Sequence, residues 1–152
     1  MQLQELFQTP DVLVGFKASD KWDAIERVLR HLESRDRFPA AQTSAFLEAV
    51  LGRERSMSTG MEHGLAMPHA AVDGLDEVVA CLAICGEGNA LDFESTDASP
   101  TRIVVLLLIP RNQKLLHIRT LAEIARLMSK YEARQQLLNA TDSQQAWAVL
   151  SD

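Results

Sequence analysis

One uninterrupted apolar run, IVVLLLI at residues 103–109, limits the folds open to this chain more than any other feature. A strand with one face in water alternates apolar and polar residues, whereas a strand buried on both faces is apolar at every position. The run therefore predicts a strand with helices packed on both of its sides. Further strands are expected at VVACLAI, residues 78–84, at VLVGF, residues 12–16, and at GLAMPH, residues 64–69.

Segments with helical spacing lie between and after these runs. Ser19 or Asp20 is expected to cap the first helix. Its buried face is predicted to consist of Trp22, Ile25, Val28, Leu29 and Leu32. Pro39 then breaks the chain, and a second helix is expected over about residues 41–53. The residues that this second helix is expected to bury are Phe46, Leu47 and Val50.

The chain is predicted to be helical from residue 113 to its end. Apolar residues with helical spacing form one stripe of Leu121, Ile124 and Met128. A further short helix is indicated by Leu137–Leu138. Thr141 and Gln144 have the spacing of a capping box for a last helix that buries Trp147 and Leu150. Strands buried on both faces and bracketed by helices predict an α/β fold, a three-layer α/β/α sandwich with a mixed central sheet flanked by helices on both faces.

Length and charge restrict the class of protein. The 152 residues fit a single domain, residues 1–152, that is long enough to bury a sizeable core. No apolar run approaches the roughly 20 residues that span a bilayer, and the N-terminus lacks the basic start and apolar stretch of a signal peptide. We therefore expect a cytoplasmic protein that is not membrane-embedded. The formal charge of −6 argues against nucleic-acid binding, which requires clustered Lys and Arg.

Cys81 and Cys85 lie four positions apart in one predicted strand. Such residues point to the same face of a strand but are about 13 Å apart along it. A disulfide requires Cα atoms within about 7 Å, so the two thiols cannot pair. They are predicted to be buried packing residues, since the Cys-x-x-Cys spacing of redox and metal sites is absent from the sequence.

The segment RERSMSTGMEHGLAMPHA, residues 53–70, contains the strongest candidate for a reactive group. His69 directly follows Pro68 at the end of a short apolar run, so its ring is expected at a strand end, where side chains meet solvent. Pro68 has a fixed φ and biases Met67 toward extended geometry, which directs the ring. A histidine placed in this way can act as a nucleophile.

The same segment resembles the active-site segment of type-2 enzyme IIA domains (EIIA) of the bacterial phosphotransferase system (PTS), the fructose–mannitol group that includes nitrogen-regulatory enzyme IIA. The family pattern is an Arg-Glu pair, a Ser-Thr-Gly turn, a Gly, and then small-apolar-Pro-His. The matching residues are Arg53-Glu54, Ser58-Thr59-Gly60, Gly64, Ala66-Met67-Pro68 and His69. The stretch LLLIPRNQKLLHIRTLAEIA is similar to the family's apolar strand ending in Pro, followed by a His that opens a helix. With the helix order, the resemblance covers nearly the whole chain.

The resemblance implies that His69 accepts a phosphoryl group, on its Nε2 (tele) nitrogen, from a histidine phosphocarrier such as HPr or its nitrogen-branch counterpart. It also implies that His117 and Arg53 contact the phosphoryl oxygens, because transfer between two histidines requires positioning and charge stabilisation. His117 falls in the first turn of its helix, four residues before Leu121. Thr59 and Ser58 could add hydroxyl donors.

Other residues of the motif are expected to shape the backbone. Gly60 and Gly64 are interpreted in this way, because only glycine tolerates positive φ freely. One departure from the family pattern is Glu62-His63, since a carboxylate beside a phosphate site repels the phosphoryl group unless it points away or is paired. We expect both of these side chains to face solvent. His31, on the first helix, is interpreted as partly exposed and without a role.

Three functions remain open from the sequence. The first is a regulatory EIIA of the nitrogen type, whose phosphorylation state changes its binding to regulatory proteins. The second is a sugar-transport EIIA that passes the phosphoryl group to a separate EIIB. The third is a metal site formed by Glu62, His63, His69 and His117, although their spacing matches no recurrent metal pattern. The first is favoured, with no cofactor and no metal.

Overall fold

The computed structural model describes residues 2–151, which form one mixed sheet between two layers of helices. The strands are β1 (Val12–Phe16), β2 (Leu65–Ala66), β3 (His69–Val72), β4 (Val79–Cys85) and β5 (Ile103–Pro110). The α-helices are α1 (Leu3–Leu6), α2 (Lys21–Ser34), α3 (Thr43–Ser56), α4 (Lys114–Met128), α5 (Tyr131–Asn139) and α6 (Ser143–Val149). None of the helices within this described part of the chain is long and apolar enough to cross a membrane.

The predicted three-layer sandwich is confirmed, and β5 lies inside its sheet. β5 pairs antiparallel with β4 on one side and parallel with β2 and β3 on the other, while β1 is parallel to β4 at the far edge. All eight residues of β5 are buried. Its odd-numbered residues, Ile103 to Ile109, pack against the layer of α1, α4, α5 and α6, and its even-numbered ones pack against α2 and α3.

The predicted strand at residues 64–69 is two short strands instead of one. The pair Leu65–Ile103 and the pair His69–Leu107 are four residues apart on both strands, so the register continues across the break. Pro68 has no N–H to donate and interrupts the ladder, although its carbonyl accepts the Leu107 N–H at 3.1 Å. His69 therefore opens β3 and is only 9% exposed, so the prediction of a solvent-facing strand end was wrong.

The first two long helices occur where the periodicity placed them, with local errors. Asp20 caps α2 by accepting the Asp23 N–H at 2.8 Å, as predicted. Trp22 is 38% exposed, however, because Lys21 instead occupies the buried stripe with Ile25. The second helix was predicted over residues 41–53 but runs over Thr43–Ser56, since residues 40–42 form a 3₁₀ turn. Leu47 is only partly buried.

The C-terminal helices were also predicted, but the cap of α6 was placed one residue early. Asp142 is the cap, and its side chain accepts the Gln145 N–H at 2.8 Å. Thr141 instead donates its N–H to the Gln145 side chain at 2.9 Å. Trp147 is partly buried, and its Nε1–H donates to the carbonyl of Phe7 at 2.8 Å. This bond holds α6 against the N-terminal segment that contains α1. The sequence pattern did not predict helix α1.

His31 has a structural role that the sequence did not indicate. Its Nε2–H donates to the fully buried carboxylate of Asp11 at 3.1 Å, and Arg35 and Arg37 donate to the same carboxylate. A buried carboxylate requires such partners. The cluster therefore ties the end of α2 to the residue that precedes β1, and the prediction that His31 has no role was wrong.

The prediction for the two cysteines is confirmed. Cys81 and Cys85 are free, fully buried and on the α2–α3 side of β4. Burial raises the pKa of both thiols, that of Cys85 to about 11, because a thiolate would be poorly solvated there. Both residues are packing thiols and not reactive ones.

Candidate active site

His69 is held by a hydrogen bond that defines its tautomer. Its Nδ1 lies 2.8 Å from the carbonyl oxygen of Met67. Because a carbonyl can only accept, Nδ1 carries the proton, and in the neutral ring the lone pair is on Nε2. The break between β2 and β3 makes this contact possible, since Met67 lies just before Pro68 and outside both strands. The nitrogen of this ring that is free to bind another group is therefore Nε2.

His117 lies against the ring of His69. The two ring centroids are 5.4 Å apart, and the ring planes are inclined by 82°. The sheet register explains this contact. His69 is opposite Leu107, which packs on the side of the sheet that α4 covers. The fourth residue of α4 is His117, so the first turn of this helix places its ring beside β3.

Arg53 reaches the site from the last turn of α3. Its Nη1 donates to the carbonyl of Met57 at 2.9 Å, which brings the guanidinium to the loop after the helix. Burial lowers the pKa of His69 below its ordinary value of 6.5, and the positive charges of Arg53 and His117 lower it further. The bond to Met67 and the charge of Glu54 act in the opposite direction. The structure thus places the rings of His69 and His117 in contact, and the charge of Arg53 acts on His69 from the end of α3.

The depressed pKa of His69 leads to a pH prediction. The ring should stay neutral when the pH falls through 6.5, and it should protonate only at lower pH than a histidine in an unstructured peptide. Because the unfolded chain binds this proton more readily, the contribution of His69 to stability is present above pH 6.5 and is lost as the pH falls through the lower folded pKa. Titration of the ring by NMR measures this shift. Arg53→Gln should raise the pKa, and an unchanged titration would remove Arg53 from the site.

The hydroxyl groups of Ser58 and Thr59 are bound within the protein. Ser58 Oγ donates to the carbonyl of Phe93 and accepts the Gly60 N–H at 3.1 Å. Thr59 Oγ1 donates to Glu54 Oε1 at 2.7 Å. Both hydroxyl protons therefore hold the loop after α3 in place, and a phosphoryl oxygen would have to displace these partners to receive them.

Gly60 is required by close packing and not by a positive φ, which was the reason predicted for it. A Cβ at this position would lie 2.5 Å from the Phe93 carbonyl oxygen and 2.8 Å from Ser95 Oγ. We expect Gly60→Ala to destabilise the fold by about 1–3 kcal/mol, because the loop would have to move. Gly52→Ala is the control, since Gly52 is inside α3 with 3.7 Å to its nearest neighbour, and alanine there should stabilise by about 0.5–1 kcal/mol. Urea unfolding measures both changes, and equal effects would refute the packing argument.

The side chains of Glu62 and His63 face solvent, as predicted. Their side chains are 69% and 53% exposed, and His63 Nε2 is 3.7 Å from Glu62 Oε2. The backbone N–H of His63 donates to Asp97 Oδ2 at 3.1 Å, which holds the turn. Gly64 has φ +76°, the positive value for which a glycine was expected, and a Cβ there would lie 3.0 Å from the Pro100 carbonyl. The departure from the family pattern is therefore a solvent-facing pair.

The alternative of a metal site has no geometric support. Among residues 2–151, no group of three or more His, Cys, Asp or Glu side chains is arranged to hold a metal ion. Glu62, His63, His69 and His117 therefore do not form the ligand set that their residue types allowed. Of the four, only His69 and His117 have their rings in mutual contact.

The sequence analysis assigned no role to two charged residues at this site, although it named Glu54 as part of the Arg-Glu pair. Glu54 is 2% exposed and Lys21 is 5% exposed, and Lys21 Nζ donates to Glu54 Oε2 at 3.2 Å. Both occupy the buried stripe of their helices. Glu54 follows Val50 by four residues, and Lys21 precedes Ile25 by four. A charged residue at an apolar stripe position is a recognisable anomaly, and it would have identified both of them.

Comparison with known proteins identifies the family. Residues 5–152 match the model of the phosphoenolpyruvate-dependent sugar phosphotransferase system, EIIA 2. The chain is 27% identical over 151 residues to the nitrogen regulatory protein of Bradyrhizobium diazoefficiens, covering 99% of this chain and 95% of the relative. It is 30% identical over 108 residues to the fructose-specific EIIA component of Haloferax volcanii, covering 71% of this chain and 69% of the relative. It is also 26% identical to the fructose-specific EIIABC component of Bacillus subtilis. That match covers 92% of this chain but only 21% of the relative.

Solved structures of similar fold agree with this match. The nitrogen regulatory protein IIA-Ntr from Neisseria meningitidis superposes with a TM-score of 0.86 over 99% of both chains, at 21% identity. The mannitol IIA of Escherichia coli superposes with a TM-score of 0.77 over 95% of this chain and 98% of its own, at 18% identity. The resemblance first indicated by the Pro-His motif is confirmed, and the chain belongs to the type-2 EIIA family of the phosphotransferase system.

Proposed function

We propose that residues 1–152 act as one cytoplasmic EIIA domain that accepts a phosphoryl group on Nε2 of His69 from the phosphohistidine of an HPr-like carrier. The observation that supports this most strongly is the bond from His69 Nδ1–H to the Met67 carbonyl, because it leaves the Nε2 lone pair as the nucleophile. Membership of a phosphotransfer family supports the same reaction.

The transfer is a single displacement at phosphorus. The lone pair of His69 Nε2 forms the new N–P bond while the N–P bond of the donor breaks, and the donor ring leaves with that electron pair as neutral imidazole. Positive charge develops on the His69 ring as the bond forms, and the Met67 carbonyl stabilises it through the Nδ1–H. No proton has to leave His69 during the step.

His117 and Arg53 would stabilise the three equatorial oxygens of the group in transfer. The ring of His117 contacts that of His69, and the charge of Arg53 lowers the pKa of His69, which supports positions close to the reacting ring. Such transfer depends on positioning and electrostatics more than on covalent chemistry. An arginine also matches phosphate geometry through several donors.

Exposed apolar residues beside the site support a protein as the donor. Leu115 and Ile118 are 77% and 65% exposed and flank His117 on α4. Met57, which binds Arg53 through its carbonyl, is 67% exposed. Large apolar side chains grouped near one site are typical of protein contact surfaces.

The test is to locate the phosphoryl group. The purified chain should incorporate one acid-labile phosphoryl group when it is mixed with phosphoenolpyruvate, enzyme I and a histidine phosphocarrier. Peptide mapping should place the group on His69, and ¹⁵N NMR of the ring should place it on Nε2. A group found on another residue, or no incorporation with a carrier that is active on a known EIIA, would refute the proposal.

We further propose that the output of the domain is regulatory, so that phosphorylation changes its binding to other proteins. Nitrogen regulatory relatives support this, because they match essentially the whole chain and are themselves of nearly the same length. Sugar transport is the second candidate, supported by the fructose-specific EIIA of Haloferax volcanii at 30% identity. Incubation of the phosphorylated chain with a panel of EIIB proteins separates the two, since rapid transfer to one of them would favour transport.

A further inference from the structure

A continuous series of hydrogen bonds connects Lys21 to His69. Lys21 Nζ and the Thr59 N–H both donate to Glu54 Oε2, at 3.2 and 2.9 Å, and Thr59 Oγ1 donates to Glu54 Oε1 at 2.7 Å. The Thr59 carbonyl then accepts the Met67 N–H at 3.3 Å. The Met67 carbonyl in turn accepts the His69 Nδ1–H at 2.8 Å. Five residues from α2, α3, the following loop and β3 are thus joined.

The ionic part of this series is shielded from water. Lys21 is 5% exposed, Glu54 is 2% exposed and Thr59 is 8% exposed. Burial lowers the pKa of Lys21, but the hydrogen bond and charge of Glu94 and those of Glu54 outweigh it and raise the pKa above its ordinary value. Lys21 therefore stays protonated as a counter-ion. A buried pair of this kind adds little stability beyond that of apolar residues of the same size.

We propose that Glu54 is a positioning residue for the phosphoryl acceptor: neutralised by Lys21, it holds Thr59, and through Thr59 and Met67 it keeps the Nδ1–H of His69 bound and Nε2 free. The inference rests on the proposed function of His69. Glu54 acts through the two intervening residues, and both of its carboxylate oxygens are used for this purpose.

The bond to Met67 determines which nitrogen of His69 can react. A ring that loses this acceptor can carry its proton on either nitrogen, and the form with Nε2–H has no lone pair for phosphorus. Displacement of Thr59 would move Met67, because Thr59 accepts the Met67 N–H. A carboxylate on α3 therefore influences the tautomer of a ring on β3.

Glu54→Gln tests this with little change of shape. The amide removes the negative charge that Lys21 balances, and its NH2 group cannot accept the Thr59 hydroxyl proton, so that hydroxyl must turn and accept instead. We expect phosphoryl acceptance to slow about tenfold or more, and ¹⁵N NMR of the ring to show a larger fraction of the Nε2–H form of His69. Glu48→Gln is the matched control on α3, since Glu48 is 70% exposed and paired with Arg55, and it should match wild type in both measurements.

Thr59→Val is the second variant, and it decides the matter if Glu54→Gln does not fold. It removes the hydroxyl bond to Glu54 and keeps the backbone bonds, so a smaller change in the same direction is expected. A folded variant with the wild-type tautomer and rate would overturn the proposal, even if its melting temperature fell. The tautomer of His69 is measured without any phosphoryl donor, so it tests the positioning role of Glu54 independently of phosphorylation. A wild-type protein that is never phosphorylated would refute the proposed function of His69 and would leave the tautomer measurement valid.

Discussion

His69→Gln should abolish phosphorylation of the chain completely. Glutamine can still donate to the Met67 carbonyl, so the local structure should survive, but its amide nitrogen has no lone pair that can attack phosphorus. The measurement is incorporation of labelled phosphate from phosphoenolpyruvate through enzyme I and a histidine phosphocarrier. The expected amount is zero over times that saturate wild type.

The matched control is another histidine of the same chain. His31 lies on α2 and donates to Asp11, which is not part of the candidate site, and glutamine can replace that bond. His31→Gln should therefore be labelled at the wild-type rate. Label persisting on the His69→Gln protein would assign the acceptor to a different residue and would require the whole site to be reconsidered.

His117→Ala should have the second-largest effect, a decrease of about a hundredfold in the rate of phosphoryl acceptance, which is typical of removing one donor to a developing anionic oxygen. The 5.4 Å between the two rings places His117 within reach of a group on His69. His69 should remain the modified residue, because its bond to Met67 does not depend on His117. Rapid-quench single-turnover measurements separate this chemical step from carrier binding.

A milder substitution defines what His117 contributes. His117→Gln retains a side-chain donor at nearly the same reach but cannot become positively charged. A rate between those of wild type and His117→Ala would assign the effect to hydrogen bonding plus charge. If the alanine variant accepts phosphate as fast as wild type, His117 has only a packing role against His69.

The sequence predicted the elements whose pattern is strong over many residues. The apolar run of β5 predicted its burial on both faces, and the stripes of α2 and α4 predicted those helices. Two of the errors were of one residue in phase. Trp22 was assigned to the buried stripe that Lys21 occupies, and Thr141 was taken for the cap that Asp142 supplies. The apolar pattern alone does not show whether Trp22 or its neighbour Lys21 is buried, because a lysine can bury its aliphatic stem when its charge is paired.

The candidate site was predictable in its reactive residues and not in its support. The motif indicated His69, His117 and Arg53, whose roles as phosphoryl acceptor and oxygen contacts stay predictions. The partners of Ser58 and Glu54 depend on contacts between distant parts of the chain, with Phe93 and with Lys21. No local pattern encodes such contacts. The bond from His69 to Met67 also depends on the break between β2 and β3. The sequence pattern did not predict this break, because residues 64–69 were interpreted as one continuous strand.

The loop after α3 also affects how the protein associates with other molecules. The strand pair β2–β3 is the outer edge of the sheet, where free backbone groups can recruit a strand from another molecule. Here Thr59 accepts the Met67 N–H, Met61 donates to the Leu65 carbonyl at 2.7 Å, and His69 occupies the Met67 carbonyl. The loop that carries Thr59 and Met61 thus covers part of an edge to which another molecule could add a strand. Displacement of this loop should therefore leave the edge strand open to pairing between molecules and make aggregation easier.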